Sequence, residues 1–534
     1  MTMKLRIACL LLACLPVATF PQNESHAVAK ASAPGFLSFD ELKVLAAVAE
    51  PKDILAGKLN EVLTTPFIGN DATINDIHPH RPTVEGLGSI VRAASWNIER
   101  GLNFHLIESA LGNPEQFRRE AGYENRAGDQ VVQAQLSALQ ETDVLILNEV
   151  DLGMKRTEYR DVSRDLAAAL HMNYAYGVEF VEVDPLFDLG IEKIDLPDKD
   201  EERRLEEDLK VDPARYHGLH GNAILSRYPI ERARIVRLPV CYDWYGKETK
   251  AIATLEQGKR WSASKLFRER VKREVRRGGR MALIVDLAVP AFPTGRLTVI
   301  SVHLENKCPP GCRQRQMKAL LRVIQSIDNP IVLAGDLNTS GSDATPTSVR
   351  NEIMKRVTDY RFWVNQAIFW GSPISIPHYA IVPLRYFHQY LDPTAFHFPF
   401  FWENRERGLF RSVEKFRFSD GYAFDFRGTT ERTLNNKQGT LANSNQRGRK
   451  GFVPTYAFER NYGGWIGNFK LDWFFVKPFI RDPRAPQQSY RFAPHFAITM
   501  NQLNQAVEDR ISDHPPLTVD LPLEEPLALK TGSR

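Results

Sequence analysis

Several short apolar runs in this chain end abruptly in a carboxylate, an amide or an imidazole: Ser95-Trp96-Asn97-Ile98-Glu99, Leu147-Asn148-Glu149-Val150-Asp151, Gly221-Asn222-Ala223-Ile224-Leu225-Ser226, Ser301-Val302-His303-Leu304-Glu305-Asn306 and Gly335-Asp336-Leu337-Asn338. Polar endings are odd for a core and natural for a site. Carboxylate and amide oxygens hold a hard cation, and a cation beside imidazole and amide donors can hold a phosphate.

Each ending has a functional and a plain reading. An acid directly after a buried run is costly unless something cationic meets it, so Glu149 needs a cation, and a structural ion pair with an arginine would also serve. Strand alternation sends Asn97 and Glu99 to one face, unless the segment is an ordinary strand-end turn. Asp336 and Asn338 offer a carboxylate and an amide two residues apart on one face. Asn222 supports the rim either as a contact or as a structural amide, and His303 is either a site group or a satisfied structural histidine. Near the C-terminus Asp472 lies inside the aromatic run Leu471-Asp472-Trp473-Phe474-Phe475, followed later by Ser512-Asp513-His514-Pro515-Pro516. A buried Asp needs a partner and an imidazole base needs an orienting carboxylate, so Asp472 and His514 can satisfy each other. A surface loop is the alternative for Asp513-His514.

The elements that must position these groups are legible as apolar runs at residues 90–95, 144–147, 223–225, 282–287, 297–302, 331–334 and 471–476, bounded by turn residues and read as buried strands. Helical spacing puts Val132, Leu136 and Leu139 on one face and Met317, Leu320, Leu321 and Ile324 on another. Ser38-Phe39-Asp40-Glu41 reads as a capping box opening a helix through Ala46-Ala47. Mixed strands and helices point to sheets covered by helices.

The chain of 534 residues is 43% hydrophobic and 25% charged, enough to bury a large core. A formal net charge of +4 over this length does not imply a polyanion partner. Lys4 and Arg6 precede an apolar run over residues 7–20, which reads as an export signal cleaved after Ala27. A buried first helix is the alternative, and Leu11-Leu12-Ala13-Cys14 offers a lipoprotein box as a minor one. No other segment reads as membrane-spanning, and there is no internal repeat. Without the signal, Cys241, Cys308 and Cys312 remain of five cysteines. Cys308 and Cys312 either form a local disulfide across Pro309-Pro310-Gly311 or stay as thiols, and a zinc site is not expected with so few ligands nearby.

The expected organisation is a signal at 1–27, a leader at 28–88 packed on the main domain, a domain at 89–522 and a tail at 523–534. Insertions fall at about 184–217, 241–279 and 340–464. The first contains a charged stretch at 184–210, the second a Lys/Arg-rich, helix-like stretch at 259–277, and the third is rich in Phe, Tyr, Trp and Pro. Both charged stretches read as solvated elaborations, the second also as a possible phosphate contact.

Taken together and in this order, the motifs resemble the endonuclease/exonuclease/phosphatase superfamily over roughly residues 89–521. That superfamily includes pancreatic-type deoxyribonucleases, abasic-site endonucleases, neutral sphingomyelinases and inositol polyphosphate phosphatases. The resemblance implies an α/β fold, a four-layered sandwich of two packed mixed β-sheets flanked by helices. It makes Glu149 the principal Mg2+ ligand (Mn2+ being the alternative), with Asn97 near metal and phosphate, Asp513 a second metal contact and Glu99 at a position that is often acidic. It implies that Asp336 and Asn338 orient the attacking water and the phosphate, and that His303 donates to a phosphate oxygen or the leaving group. His514, paired to Asp472, would be the general base or the transition-state donor. Asn222 and Asn338 are the expected substrate contacts.

The function expected is metal-assisted attack of water on a phosphoester in an exported, monomeric enzyme with no obligate protein partner. An unperturbed imidazole can gain or lose a proton near pH 7, as this chemistry asks of each histidine. Nucleic acid stands slightly ahead of lipid headgroups and inositol phosphates, on the strength of the Lys/Arg stretch and exposed-looking aromatics that could stack bases. A catalytically silent protein that binds in the same cleft is the alternative of another class.

Overall fold

The runs are apolar at consecutive positions, which suits strands covered on both faces. The computed structural model of the protein describes residues 28–122, 129–183, 211–249, 275–339, 397–398, 402–403, 406–433, 439–448, 451–457, 468–480, 490–507 and 510–525. There the runs form two large sheets. The first runs in the order Phe67–Gly69, Asn173–Glu182, Leu219–Ser226, Val144–Leu152, Gly88–Arg100, Leu517–Pro522 and His495–Thr499, with the short strands Thr83–Val84 and Arg276–Gly278 attached. The second runs Asp472–Lys477, Ile331–Asp336, Arg296–Val302, Met281–Ala288 and Ile230–Arg237.

Each sheet contains one parallel pair, Gly88–Arg100 with Val144–Leu152 and Arg296–Val302 with Ile331–Asp336. Those four strands carry Asn97, Glu149, Asp336 and the approach to His303, so the parallel pairs bring the polar endings to one edge.

The sheets pack face to face. Val91, Ala93, Val144 and Ile146 of the first meet Val285, Val299, Val332 and Phe474 of the second in one core. Side-chain alternation sends Trp96, Leu145 and Leu147 outward, against Ile107, Leu136, Leu139 and Leu166 of flanking helices. On the opposite side Ile300, Leu333 and Phe475 meet Met317, Leu320, Leu321 and Ile324 of the helix Pro310–Ile324. Helices, sheet, sheet and helices make the four-layered α/β sandwich that the motifs imply. The helix Phe39–Ala47 begins with the expected capping box, the Ser38 hydroxyl accepting from Glu41 N and the Glu41 carboxylate accepting from Ser38 N.

Three expectations are corrected. Cys312 pairs with Cys241 rather than with Cys308, because the loop after the strand Ile230–Arg237 reaches the first turn of the helix Pro310–Ile324. At the end of the Lys/Arg-rich stretch, Arg276 and Arg277 lie in a strand, not a helix. Their guanidinium groups serve the fold: that of Arg277 donates to Leu45 O at 2.7 Å and Ala49 O at 2.8 Å. Four aromatics of the third insertion are not exposed either: Phe410, Phe418, Phe424 and Phe452 are buried in one core with Trp473 and Phe475. The expected signal and Cys14, the charged stretch at 184–210, residues 259–274 and most of residues 340–405 lie outside the described residues. Among the described residues no helix is long and apolar enough to cross a membrane.

Candidate active site

Asn148 stitches the two sheets together where the site forms. Its Oδ1 accepts from Asp336 N at 2.9 Å, while its Nδ2 donates to Asn222 Oδ1 at 3.0 Å and Ser301 Oγ at 3.2 Å. The approach is close: a Cβ on Gly335, whose φ is +142°, would lie 2.0 Å from Val302 O and 2.7 Å from Asn148 Oδ1. Only glycine leaves that room. At the same level the strand Val144–Leu152 shifts register between Leu147 and Val150, and Glu149 takes a φ of +52°. The bulge turns the Glu149 side chain out of the sheet, about a quarter exposed, whereas Asp336 and His303 beside it are buried.

Asp336 is the centre of the cluster. Its Oδ1 accepts from Asn338 N at 2.8 Å, and its Oδ2 lies 3.4 Å from Asn97 Nδ2, 3.7 Å from His303 Nε2 and 3.8 Å from His514 Nε2. Burial, with the negative charge of Asp472, pushes its carboxyl up to about 7. Asn338, at a φ of +50°, also donates from Nδ2 to Leu304 O at 2.9 Å.

The two imidazoles are poised differently, which corrects the expectation of unperturbed histidines. His514 Nδ1 lies 2.7 Å from Asp472 Oδ2. Burial opposes its charge, but Asp472 and Asp513 outweigh burial and hold it up to about 10. His514 is therefore an imidazolium at neutral pH. His303 Nδ1 lies 2.8 Å from Arg280 Nη1, and burial together with the Arg280 charge holds its pKa well below the usual range. A guanidinium only donates, so Nδ1 of His303 is the acceptor and the proton sits on Nε2, facing Asp336 and, at 4.0 Å, Glu149.

Glu99 and Asp513 complete the rim. Glu99 Oε2 accepts from Asp513 N at 3.1 Å, and Asn97 Oδ1 accepts from Glu99 N at 3.1 Å. Burial, with the charges of Asp513 and Glu149, pushes Glu99 up to about 8. Behind them Ser512 Oγ donates to Asn97 O at 2.7 Å and Trp96 Nε1 donates to His514 O at 2.8 Å, fixing the last motif on the first.

The structure thus brings together Asn97, Glu99, Glu149, His303, Asp336, Asn338, Asp472, Asp513 and His514. Asn222 stands apart, fully buried, with its Nδ2 donating to Glu179 Oε1 at 3.2 Å and its Oδ1 taken by Asn148. Arg280 and Glu179, paired at 2.8 Å, were missed by the reading of the sequence. Their signal was present: Glu179 is an acid inside the buried strand Asn173–Glu182, the same feature that marked Asp472, and Arg280 directly precedes the buried run at 281–288.

A hard divalent cation fits these residues. The donors are carboxylate and amide oxygens, Glu99, Glu149, Asp336 and Asp513 are crowded enough to repel one another, and the buried Asp472 Oδ1 has no hydrogen-bond partner among the described residues. Asp336, Asp472 and His514 also hold ligand atoms within 4.8 Å of one another, although His514 Nδ1 is engaged with Asp472.

The sequence profile of the endonuclease/exonuclease/phosphatase family matches residues 94–514. No curated protein matches the chain. Among solved structures it is similar to an endonuclease/exonuclease/phosphatase from Beutenbergia cavernae, at 16% identity over 81% of this chain and 72% of that one, with a TM-score of 0.35. It is similar to a family protein from Leptotrichia buccalis at 10% identity over 81% and 99% of the two chains, with a TM-score of 0.34. It is also similar to a 3'-5' exonuclease from Neisseria meningitidis at 11% identity over 81% and 99%, with a TM-score of 0.35.

Proposed function

Because this chain belongs to the endonuclease/exonuclease/phosphatase family, whose members are hydrolytic phosphoesterases, we propose that it cleaves phosphodiesters by metal-assisted attack of water. The observation that carries this reading is the meeting of two imidazole Nε2 atoms at one carboxylate oxygen, His303 at 3.7 Å and His514 at 3.8 Å from Asp336 Oδ2. Glu149, Asn97 and Asp513, with Glu99 behind them, would hold Mg2+ or Mn2+, which supplies a Lewis acid for the phosphoryl oxygens.

The chain's own groups do the rest. Asp336, poised near 7, accepts a proton from the attacking water. His514, charged through Asp472, donates to a phosphoryl oxygen as negative charge grows there, and His303 Nε2–H donates to a second oxygen or to the leaving group. Asn338 fixes Asp336 through its backbone N–H and orients the water beside it. Asn222 acts through Asn148 and Glu179 rather than on substrate.

Nucleic acid stands first among the phosphoesters, with the diesters of lipid headgroups and the monoesters of inositol phosphates next. With Phe410, Phe418, Phe424 and Phe452 in the core, stacking on those rings no longer favours nucleic acid. Export belongs to the same proposal, and the Cys241–Cys312 cross-link supports an oxidising compartment. The test is a panel of DNA, RNA, bis-p-nitrophenyl phosphate, sphingomyelin vesicles and inositol phosphates, each with and without Mg2+. Metal-dependent cleavage of a diester is expected, and binding without turnover on every member would leave a silent binding protein in its place.

A further inference from the structure

Three sulfurs lie together, two of them just downstream of His303: Cys241, Cys308 and Cys312 have all Sγ atoms within 4.8 Å of one another. Cys241 and Cys312 are bonded and Cys308 is a thiol. Cys241 and Cys308 are partly exposed, whereas Cys312 is buried. Cys308 Sγ donates to Glu305 O at 3.3 Å, and Arg315 Nη2 donates to Cys312 Sγ at 2.8 Å.

We propose that these residues form a thiol–disulfide exchange site in which Cys308 attacks Cys241 and displaces Cys312. Exchange needs a thiol within reach of a disulfide and a leaving sulfur that can carry negative charge. Cys308 meets the first condition. Cys312 meets the second, because the Arg315 guanidinium sits against it, whereas among the described residues no cationic donor touches Cys241 Sγ. In the step, Cys308 releases its proton to solvent, the Cys308–Cys241 bond forms, the Cys241–Cys312 bond breaks, and Cys312 departs with the electron pair as a thiolate beside Arg315. No oxidant or reductant is consumed.

Both isomers tie the loop at Cys241 to the start of the helix Pro310–Ile324, so the fold tolerates either. What changes is the remaining thiol. Cys308 is pushed up to about 11 by burial, which keeps it protonated and slow to attack at neutral pH. Cys312, once displaced, is a buried sulfur whose charge burial opposes, and the Arg315 guanidinium against it is the group that favours its thiolate. The exchange also takes the Cys308 S–H from Glu305 O, whose own side chain accepts from Trp244 Nε1 at 3.1 Å and lies 3.9 Å from Arg280, the partner of His303.

The experiment uses the full chain purified without reductant and held at pH 6 or pH 9, alone and with a small amount of reduced glutathione. Thiols are then blocked in acid with N-ethylmaleimide, and disulfide-linked peptides are mapped by mass spectrometry. At pH 6 the Cys241–Cys312 peptide should dominate with the label on Cys308. At pH 9 the Cys241–Cys308 peptide should rise several-fold and the label should move to Cys312. Cys308→Ser should show Cys241–Cys312 alone at both pH values, and Arg315→Gln should shift the exchange to higher pH. One unchanging pairing under every condition, or three thiols and no cross-link, would overturn the proposal.

Discussion

Asp336 and Asp472 are paired directly across neighbouring antiparallel strands, and His514 bridges them, with Nδ1 2.7 Å from Asp472 and Nε2 3.8 Å from Asp336. Two carboxylates held this close cannot both carry full charge unopposed, so one shares its charge with the imidazole and the other is driven toward its protonated form.

That relationship predicts how Asp472→Asn behaves. Removing the Asp472 charge takes away the first force that keeps His514 charged against burial, so the alkaline limb of the pH–rate profile moves down from about 10. Burial remains, but Asp336 loses its main repelling neighbour, so the acid limb moves down from about 7. Activity should fall about 10²- to 10⁴-fold, the usual contribution of a positioned acid or base. A kcat/KM profile of the variant at fixed metal checks this, and unshifted limbs would contradict it.

Asn148→Ala should destabilise the protein as well as slow it. The variant leaves the buried Asp336 N–H and the Asn222 Oδ1 without the Asn148 partner, at about 1–3 kcal/mol for each unsatisfied group. Urea unfolding should show a lower midpoint with an unchanged slope. A midpoint equal to wild type would mean that this residue does not join the sheets.

The acid stability of the protein should depend on Asp151. Burial disfavours its charge, but Arg156, bonded at 2.6 Å, and His220, at 2.8 Å, outweigh burial and hold its carboxyl down at about 2. A depressed carboxylate contributes stability that is complete above its unfolded pKa and is lost as pH falls through its folded one, here from about 4 to about 2, and amounts to about 2 kcal/mol. Unfolding curves at pH 5 and pH 2.5 should show most of this loss in wild type and a smaller one in Asp151→Asn.

Phe410→Ala tests whether the long aromatic segment is part of the core. Its ring is buried, 4.6 Å from Trp473 in an edge-on pair, and joins the helix Arg407–Glu414 to the second sheet. A loss of about 3–5 kcal/mol is expected, as for a buried aromatic removed from a packed core. A loss below 1 kcal/mol would mark the segment as a surface addition.

These residues also show what the sequence made legible. Consecutive apolar runs revealed the strands, because a strand buried on both faces has no polar side to hide it. Acids and imidazoles at the ends of those runs revealed the rim, because a charge beside a buried segment demands a partner. Asp472 and His514 could be matched from 42 residues apart because each lacked something the other supplied. Glu179 carried the same signal as Asp472, an acid within a buried strand, but it lies inside its run rather than at the end, and its partner Arg280 is 101 residues away. Asn148 was read only as a neighbour of Glu149, since nothing local tells that an amide spans two sheets. The cysteine pairing failed for the same reason: proximity in sequence favoured Cys308, whereas the fold brings Cys241 across a separation of 71 residues. Composition could not tell buried rings from exposed ones in the third insertion, because aromatic content is the same in both.

The central claim is that Glu149, Asp336 and His514 form one metal-dependent site, and the direct test is bis-p-nitrophenyl phosphate turnover by chelator-treated protein as Mg2+ or Mn2+ is returned. Wild type should be silent after chelation and recover saturably, while Glu149→Gln, Asp336→Asn and His514→Ala stay silent yet keep the wild-type circular dichroism and unfolding transition. Equal turnover with and without metal, or wild-type rates in all three variants, would contradict the account.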